Sequence, residues 1–390
     1  MPHLKIKSFD TSVVAQRLEK SKLMTLHAKS LTSSDEIIGI EHLGEEFLLQ
    51  IKADEKVSLL KYDKVTRPLK VNILKEALAK VSDELDLEIL SSNIAISNTK
   101  APLSSKYFKK IEDFDSIVYT KEKVSVEVGF GSGKHLLYQA QKNSDTLFIG
   151  LEIHTPSAQQ VLKQIELQNL DNVWVVNYDA RLFLEMLPSN ICEKIFVHFP
   201  VPWDKKPARR VISKSFLDES MRVLGPKGRL ELRTDSDKYF WYALETFFSV
   251  DKTDVEVRKN EDLEVTSKYE ARWKRQEKDI YDVYVCAKEL SKEKNRTWDF
   301  NFNIVKYRDG LESRLSKKAL VFDDYFVHFE RVFKADDATL LIKCAFGSFD
   351  RPEHKYIMIS KTSCRYFVSP PVKTEVNHKA HQKIMELLNV

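Results

Sequence analysis

The residues with the clearest chemical potential are glycines and carboxylates that stand where short apolar runs end. Three glycines at alternate positions follow the apolar run 124–128: Gly129, Gly131 and Gly133. Glycine lets a chain turn sharply out of a strand and approach a ligand closely, where a Cβ would clash. Three acids are placed in the same way: Glu127, Glu152 and Asp179. The pattern indicates a ligand site, although a merely tight strand–helix turn could hold the same glycines.

The spacing of the acids indicates which ligand fits. Glu152 lies 25 residues after Glu127 (152 − 127), where an acidic side chain can accept both hydroxyls of a ribose. Asp179 is placed to accept a hydrogen bond from an adenine amino group. Carboxylates would repel the pyrophosphate of a dinucleotide, so they suit a cationic, phosphate-free cofactor such as S-adenosyl-L-methionine. Each acid alone could instead be a helix N-cap.

A second candidate site is a proline-framed aromatic loop that runs into a basic cluster. The loop 199–203 reads Phe-Pro-Val-Pro-Trp, and four cations follow it: Lys205, Lys206, Arg209 and Arg210. A second basic cluster occupies residues 268–278. Focused positive charge attracts phosphate, so we expect this region to hold RNA. Solvated helix faces are the alternative, and Trp203 suits either a packing anchor or a base-stacking platform.

The hydrophobic pattern after residue 124 predicts the elements that position these residues. Short apolar runs alternate with amphipathic stretches, which is typical of parallel strands joined by helices on both faces of a sheet. The predicted strands are Val124–Val128, Leu147–Leu151, Val173–Val176, Ile195–Phe199 and Leu230–Leu232. The predicted helices are Leu136–Lys142, Ala158–Gln168, Arg181–Leu187, Ser215–Val223 and Lys238–Phe248. The run Ile280–Cys286 is expected to be a last strand of different character.

Two flanking regions complete the predicted organisation. We expect an N-terminal α/β extension in residues 1–105, a cofactor-binding domain in 106–290 and a β-rich domain in 291–390. The N-terminal region contains a helix at Asn72–Leu85 and several strand-like runs. After a polar linker at Lys288–Arg296, the pattern alternates like antiparallel strands, beginning with Trp298–Phe302.

Composition narrows the possible classes of protein. The chain has 390 residues, 43% of them hydrophobic, a formal net charge of +4 and four cysteines with no metal-ligand spacing. Neither a secretory signal nor an apolar run of the roughly 18–20 residues needed to span a bilayer is present. We therefore expect a cytoplasmic protein without a membrane segment or a bound metal; the oligomeric state stays open.

The motifs together resemble the bacterial tRNA (guanine-N7)-methyltransferase family over about residues 106–290. The resemblance rests on Gly129-Phe130-Gly131, Gly150-Leu151-Glu152-Ile153-His154, Phe199-Pro200-Val201-Pro202-Trp203, Arg209-Arg210, Thr234-Asp235 and Ser267-Lys268-Tyr269-Glu270. It implies a class I methyltransferase fold, with a seven-stranded, mostly parallel sheet whose last strand is antiparallel. It also implies methyl transfer from S-adenosyl-L-methionine to N7 of guanosine 46, in the variable loop of tRNA. The flanks make this chain a long form of the family.

Individual residues follow from the resemblance position by position. The family's cofactor ligands match Glu127, Glu152 and Asp179, to which the turn glycines Gly129 and Gly131 are added from their spacing. The family's substrate-binding positions match Lys205, Asp235, Ser267, Lys268, Tyr269 and Glu270. Arg209 and Arg210 are assigned to tRNA binding because of their charge.

One position departs from the family pattern. The family usually reads Phe-Pro-Asp-Pro-Trp, and this chain has Val201 where that aspartate belongs. Guanine N7 already carries an in-plane lone pair, so catalysis can rest on orientation, which is worth up to roughly 7–11 kcal/mol. A carboxylate would still help to hold the guanine N1–H and amino group. We hypothesise that Asp235, or with less support Asp204, takes this catalytic role.

Two other functions fit parts of the sequence. Val201 makes a non-catalytic tRNA-binding protein on a methyltransferase scaffold conceivable, although the intact acids Glu127, Glu152 and Asp179 argue against it. A nicotinamide-dependent dehydrogenase would use the same type of sheet, but the acidic glycine turn disfavours a pyrophosphate. Methyl transfer to tRNA is the function that we expect.

Overall fold

The computed structural model describes residues 2–68, 70–95, 106–262, 264, 278–302, 307–316, 318–336 and 339–389. The chain divides into two compact units. We call residues 103–297 the central unit, and residues 1–102 together with 298–390 the terminal unit. The sequence suggested separate regions at the two ends of the chain, whereas here both ends contribute to one unit.

The elements of the first 95 residues are β1 (His3–Lys7), α1 (Ser12–Leu18), β2 (Met24–Ser30), β3 (Asp35–His42), β4 (Glu45–Lys52), β5 (Val57–Tyr62), α2 (Val71–Glu84) and β6 (Ile89–Ser92). The central unit contains β7 (Phe108–Lys109), β8 (Lys123–Val128), α3 (Lys134–Lys142), β9 (Thr146–Leu151), α4 (Thr155–Leu167), β10 (Val173–Val176), α5 (Ala180–Phe183), β11 (Cys192–His198), α6 (Lys214–Val223), β12 (Leu224–Thr234), α7 (Asp237–Phe247), β13 (Thr253–Lys259) and β14 (Tyr281–Ala287). The remaining elements are α8 (Leu311–Arg314), β15 (Leu320–Val321), β16 (Phe326–Asp336), β17 (Thr339–Gly347), β18 (Glu353–Ile359), β19 (Cys364–Tyr366) and α9 (Glu375–Leu388).

The central unit is built on one sheet with the strand order β13-β14-β12-β11-β8-β9-β10-β7. Its strands are parallel except β14, which is antiparallel to both β12 and β13. The predicted mostly parallel sheet with an antiparallel last strand is therefore confirmed. Strands β9 and β10 are buried along their whole length, as expected where helices cover both faces.

Within the described residues this sheet has eight strands rather than the seven expected. The apolar pattern did not predict β7, which has only two residues, or β13, which is mostly exposed and charged. Neither strand carries the apolar run on which the prediction depended. Strand β11 also ends at His198, one residue before the predicted end at Phe199.

Side-chain caps explain where two helices beside the site begin. The Ser213 hydroxyl accepts a hydrogen bond from the Phe216 N–H at the start of α6, and Ser236 accepts one from the Tyr239 N–H at the start of α7. Such caps satisfy backbone donors that a helix start leaves without partners. They fix the starts of α6 and α7, which precede and follow β12 in the chain.

The predicted linker Lys288–Arg296 has no regular secondary structure but is firmly attached to the central unit. The Lys294 ammonium lies 3.0 Å from the Glu185 carboxylate, which is 3% exposed, and 2.8 Å from the Glu219 carboxylate. The Arg296 guanidinium donates to the Met186 carbonyl at 2.7 Å. Its polar composition therefore reflects pairing with buried groups rather than solvation.

The terminal unit contains a second sheet, with the strand order β19-β18-β17-β16-β2-β3-β4-β5-β1-β6 and β15 paired to β16. Its pairings are antiparallel, and β16 joins β2 through Phe333 opposite Ser30. An N-terminal α/β region and a C-terminal β-rich region are therefore both confirmed. Helices α1 and α2 pack on one face around residues such as Leu74 and Leu78.

Two features of the terminal unit differ from the prediction or go beyond it. The predicted strand Trp298–Phe302 is wrong: these residues are irregular, and Phe300 and Phe302 are buried in the C-terminal core. Their alternation reflects two aromatic anchors rather than a strand. Both chain ends share a further core that includes Ile37, Phe333 and Tyr356. No helix among the described residues has the length and apolarity to cross a bilayer.

Candidate cofactor and RNA site

The candidate site lies at the carboxyl edge of the central sheet. The chain runs outward from β8 through β9 to β10, then returns to place β11 and β12 on the other side of β8. Ligands of open α/β sheets bind outside the strand ends at such a reversal of strand order. Val128 is opposite both Leu151 and Val197, so the ends of β8, β9 and β11 are level.

Four of the predicted acids lie at this edge. Glu127 is the penultimate residue of β8, and Glu152 directly follows β9. Asp179 comes three residues after the end of β10, and Asp235 directly follows β12. The structure therefore gathers the acids along the same edge, as the alternating pattern implied.

The glycines of the turn serve two different purposes. Gly129, Gly131 and Gly133 have φ values of 71°, 55° and 72°, the left-handed region that favours glycine. A Cβ on Gly133 would lie 2.3 Å from a methyl carbon of Val161, so this glycine also permits close packing of α4. A Cβ on Gly129 would meet no atom within 4 Å. Open space beside Gly129 is what a bound ligand would need.

Glu152 supports the turn directly. Its carboxylate accepts hydrogen bonds from the Gly131 N–H at 2.9 Å and the His154 N–H at 2.8 Å. Its own backbone carbonyl accepts from the Asn177 amide, which ties the ends of β9 and β10 together. A carboxylate has about four lone-pair sites, so two remain for the hydroxyls of a ribose.

Asp179 has the N-cap geometry that the sequence left open. It precedes α5, and its carboxylate accepts from the Arg181 N–H at 3.0 Å. The Arg181 guanidinium adds contacts of 3.1 and 2.7 Å to the two carboxylate oxygens. The side chain is still 37% exposed. A hydrogen bond from an adenine amino group to Asp179 stays a prediction.

Glu127 is paired with a histidine that the sequence analysis did not single out. Its carboxylate is 2.8 Å from Nδ1 of His135, in the first turn of α3, and both side chains are largely buried. Burial lowers the pKa of His135, but the Glu127 charge and hydrogen bond outweigh it, so the pKa is raised above its ordinary value. The available signal in the sequence was the separation of eight residues between Glu127, near the end of its strand, and His135, in the first turn of the next helix.

A second histidine lies against His135. The imidazole rings of His135 and His198 have centroids 4.5 Å apart, and Phe196 contacts both. Burial, together with His135 and Arg233, holds the pKa of His198 well below its ordinary value. The surroundings therefore favour the charged form of His135, which faces Glu127, and the neutral form of His198.

The aromatic loop after β11 has an unusual backbone. Phe199 and Trp203 adopt positive φ values of 50° and 46°, a conformation costly for residues with a large side chain. Such strain persists only where surrounding contacts enforce it, and it clusters at functional sites. Val201, at the departure from the family pattern, is 61% exposed.

Arg209 and Arg210, adjacent in sequence, have different environments. Arg209 is exposed, and its guanidinium lies 5.2 Å from the centroid of the Trp203 ring, which is 37% exposed. Lys205 is also exposed. An exposed cation stacked on an exposed indole is a suitable surface for bases and phosphates.

Arg210 is 7% exposed and holds the loop in place through contacts on its buried side. Its Nε–H donates to the Pro202 carbonyl at 2.8 Å, and its guanidinium lies 4.4 Å from the Tyr242 ring centroid and 5.4 Å from that of Tyr239. Asp204 lies 3.7 Å from the same group. The predicted tRNA contact of Arg210 is untested, but this geometry assigns it to positioning the loop.

Asp235 is held by a lysine at the sheet edge. Its carboxylate lies 3.2 Å from the Lys278 ammonium, and its side chain is 19% exposed. The neighbouring Arg233 is almost fully buried and donates two 2.6 Å hydrogen bonds to Asp282 of β14.

Four further predicted substrate-binding positions lie outside the described residues: Ser267, Lys268, Tyr269 and Glu270. No group of three or more metal-ligating side chains occurs in the part of the chain that is described.

Comparison with known proteins gives consistent matches. Residues 121–283 match the family model Methyltransf_4, described as "Putative methyltransferase". A tRNA (guanine-N(7)-)-methyltransferase of Wolinella succinogenes is 41% identical over 358 residues, which cover 91% of each chain. The enzyme of the same description from Campylobacter jejuni strain 81-176 is 40% identical over 89% of this chain and 88% of its own. One from Helicobacter hepaticus is 37% identical over 91% of each. These similarities extend into the terminal segments, beyond the expected residues 106–290.

Proposed function

Because this chain belongs to the tRNA (guanine-N7)-methyltransferase family, we propose that it methylates N7 of guanosine 46 in the variable loop of tRNA. The general activity, S-adenosyl-L-methionine-dependent methylation of guanine N7 in tRNA without regard to position, follows from membership in the family. The choice of position 46 rests on the motifs that it shares with the bacterial members. The observation that carries the proposal is the glycine turn with Glu152 bonded to it at the strand-order reversal.

The residues at this edge fit S-adenosyl-L-methionine. Open space beside Gly129 leaves room for a ligand against the backbone. Glu152 keeps lone pairs for ribose hydroxyls, and Glu127 lies at the base of the turn, where it is paired with His135. This donor set is acidic and contains no phosphate cradle, which suits a cationic nucleoside. When bound, the cofactor supplies a methyl group activated on a sulfonium.

The work left to the protein is mainly orientation. The in-plane lone pair of guanine N7 needs no proton removed before it attacks a methyl group, so a general base is not required for that step. Holding the two reactants in line can supply roughly 7–11 kcal/mol of the barrier reduction in well-oriented systems. The strained loop at Phe199 and Trp203, locked by Arg210, presents a rigid surface beside the turn.

We assign to Asp235 the carboxylate role that Val201 cannot perform. Asp235 follows the strand next to β11, and its 3.2 Å contact with Lys278 orients it. A carboxylate there can accept from the guanine N1–H and amino group, and it favours the positive charge that the ring gains on methylation. Asp204, which is exposed and near Arg210, is the weaker candidate.

The test uses the full chain, labelled S-adenosyl-L-methionine and tRNA transcripts that differ only at position 46. We expect methyl incorporation into the parent transcript, recovery of the label as 7-methylguanosine at position 46, and loss of incorporation when that base is adenine. Incorporation at another guanine would refute the position. Tight tRNA binding with no incorporation would instead favour a non-catalytic tRNA-binding protein.

A further inference from the structure

One face of the terminal sheet carries a group of lysines. Leu59 on β5 is opposite Lys5 on β1 and opposite Lys52 on β4. Lys61, two residues along β5, points to the same face as Leu59, because side chains alternate along a strand. Lys64 follows closely in the chain. We call Lys5, Lys52, Lys61 and Lys64 the lysine face.

The lysine face is the open part of its side of the sheet, next to the core that buries Ile37 and Leu48 on the same side. Leu4, Ile51 and Leu60, the alternate residues of the same strands, are fully or almost fully buried under α1 and α2. By contrast, Lys5, Lys52 and Lys64 are exposed, and Lys61 is half-buried. The face is therefore accessible to a partner on the terminal unit.

None of the four lysines of the lysine face forms a salt bridge with a described residue, whereas the neighbouring Lys7 pairs with Glu88 at 2.9 Å. Asp35 lies opposite Lys52 in the sheet. The nearby acid Asp35 is already bound by Arg331. Burial, and after it the charges of Lys52 and Lys64, lowers the pKa of Lys61, although the carboxylates of Asp35 and Asp63 oppose this shift. Like charges that lie close together without salt-bridge partners cost folding energy.

We propose that the lysine face binds the phosphate backbone of the tRNA substrate. The inference rests on the proposed function, which already requires this chain to bind tRNA. Adjacent strands are about 4.8 Å apart, so Lys5 and Lys52 stand about 10 Å apart across β5 and can contact separate phosphates. Leu59 is the apolar residue between them, and its described neighbours across the two strands are these lysines rather than the aromatic anchors that dominate protein interfaces. A polyanion fits this surface better than a protein.

The test compares two triple variants of the full chain. The first carries Lys5→Gln, Lys52→Gln and Lys61→Gln. The control carries Lys20→Gln, Lys22→Gln and Lys80→Gln, which removes three exposed lysines on the side of α1 and α2. Equilibrium binding of a tRNA transcript is measured over a range of salt concentrations, with S-adenosylhomocysteine affinity as a check on the cofactor site.

We expect the first variant to bind tRNA about tenfold or more weakly at low salt. Its slope of log K against log salt should fall by about 2, since each lost phosphate contact removes roughly 0.7–0.9. The control should keep the parent slope. Equal slopes for the two variants would overturn the proposal. Unchanged tRNA binding together with lost binding of polyglutamate, an acidic polypeptide probe, would also overturn it and would favour an acidic protein partner. Absence of methyl transfer by the unmodified chain would instead refute the proposed function.

Discussion

Replacing the two adjacent arginines of the basic loop separately should give opposite phenotypes. Sequence alone makes Arg209 and Arg210 equivalent candidates for tRNA contact, but only Arg209 is exposed. We expect Arg210→Met to destabilise the central unit and Arg209→Met to leave its stability nearly unchanged. For the direct electrostatic contribution to tRNA affinity we expect the reverse: Arg209→Met should lower it, and Arg210→Met should leave it nearly unchanged.

The expected loss for Arg210→Met follows from its contacts. A buried hydrogen bond from a charged donor to the Pro202 carbonyl contributes about 1.5–3 kcal/mol. Its placement over Tyr239 and Tyr242 adds about 0.5–2 kcal/mol. Methionine keeps some of the packing, so we expect a loss of about 2–4 kcal/mol. At about 2–4 °C per kcal/mol for a domain of this size, the melting temperature falls by roughly 4–16 °C.

The assay combines thermal unfolding with tRNA binding at several salt concentrations. Arg209→Met should change the melting temperature little, since surface substitutions stay within roughly 0.5 kcal/mol, and it should reduce the salt slope by about 1. Arg210→Met should lower the melting temperature and keep the parent slope at a temperature where it is folded. Unchanged stability of Arg210→Met, with a reduced slope, would refute the positioning role.

Three further substitutions test the site at the sheet edge. Glu152→Gln should weaken S-adenosylhomocysteine binding about tenfold to hundredfold, because charge-assisted hydrogen bonds worth about 1.5–3 kcal/mol are lost; calorimetry that finds parent affinity would contradict this. Asp235→Asn should slow methyl transfer at saturating tRNA while cofactor affinity is kept, and full activity would remove the catalytic assignment. The pKa of His135 is raised beside Glu127 in the folded protein, so protonated His135 stabilises the fold. This contribution is fully present below about pH 6.5, the ordinary histidine pKa, and is lost as the pH rises through the raised pKa of the folded protein. His135→Gln should flatten that part of the melting-temperature profile, and an unaltered profile would rule the pair out as its source.

The sequence was sufficient to predict the parts of the central unit whose burial leaves a clear pattern. Strands such as β9 and β10 are apolar throughout because both faces are covered, and parallel strands bring the acids that follow them to one edge. The edge strand β13 left no such pattern, because it is mostly exposed and its two valines stand between charged residues. The aromatic residues Phe300 and Phe302 alternate like a strand although they are separate anchors.

The remaining features of the site depend on tertiary contacts that spacing does not encode. Nothing in the dipeptide Arg209-Arg210 distinguishes the exposed residue from the buried one, because the difference comes from Tyr239 and Tyr242 on α7. The Glu127–His135 pair likewise depends on how α3 packs against β8. Strands β2 and β16 pair through residues that are 303 positions apart (333 − 30), so no local signal indicated that they would meet.

The shared sheet of the two chain ends has a consequence for synthesis on the ribosome. The first 102 residues emerge early, but β2 cannot receive its partner β16 until the 195 intervening residues (297 − 102) and part of the last segment have been translated. At about 5–20 residues per second, that delay is on the order of 10–40 s. The edge of β2 and the apolar side chains of Ala28 and Ile37 stay open during this interval. A nascent chain stalled after residue 297 should therefore be a preferred client of chaperones that bind exposed strands.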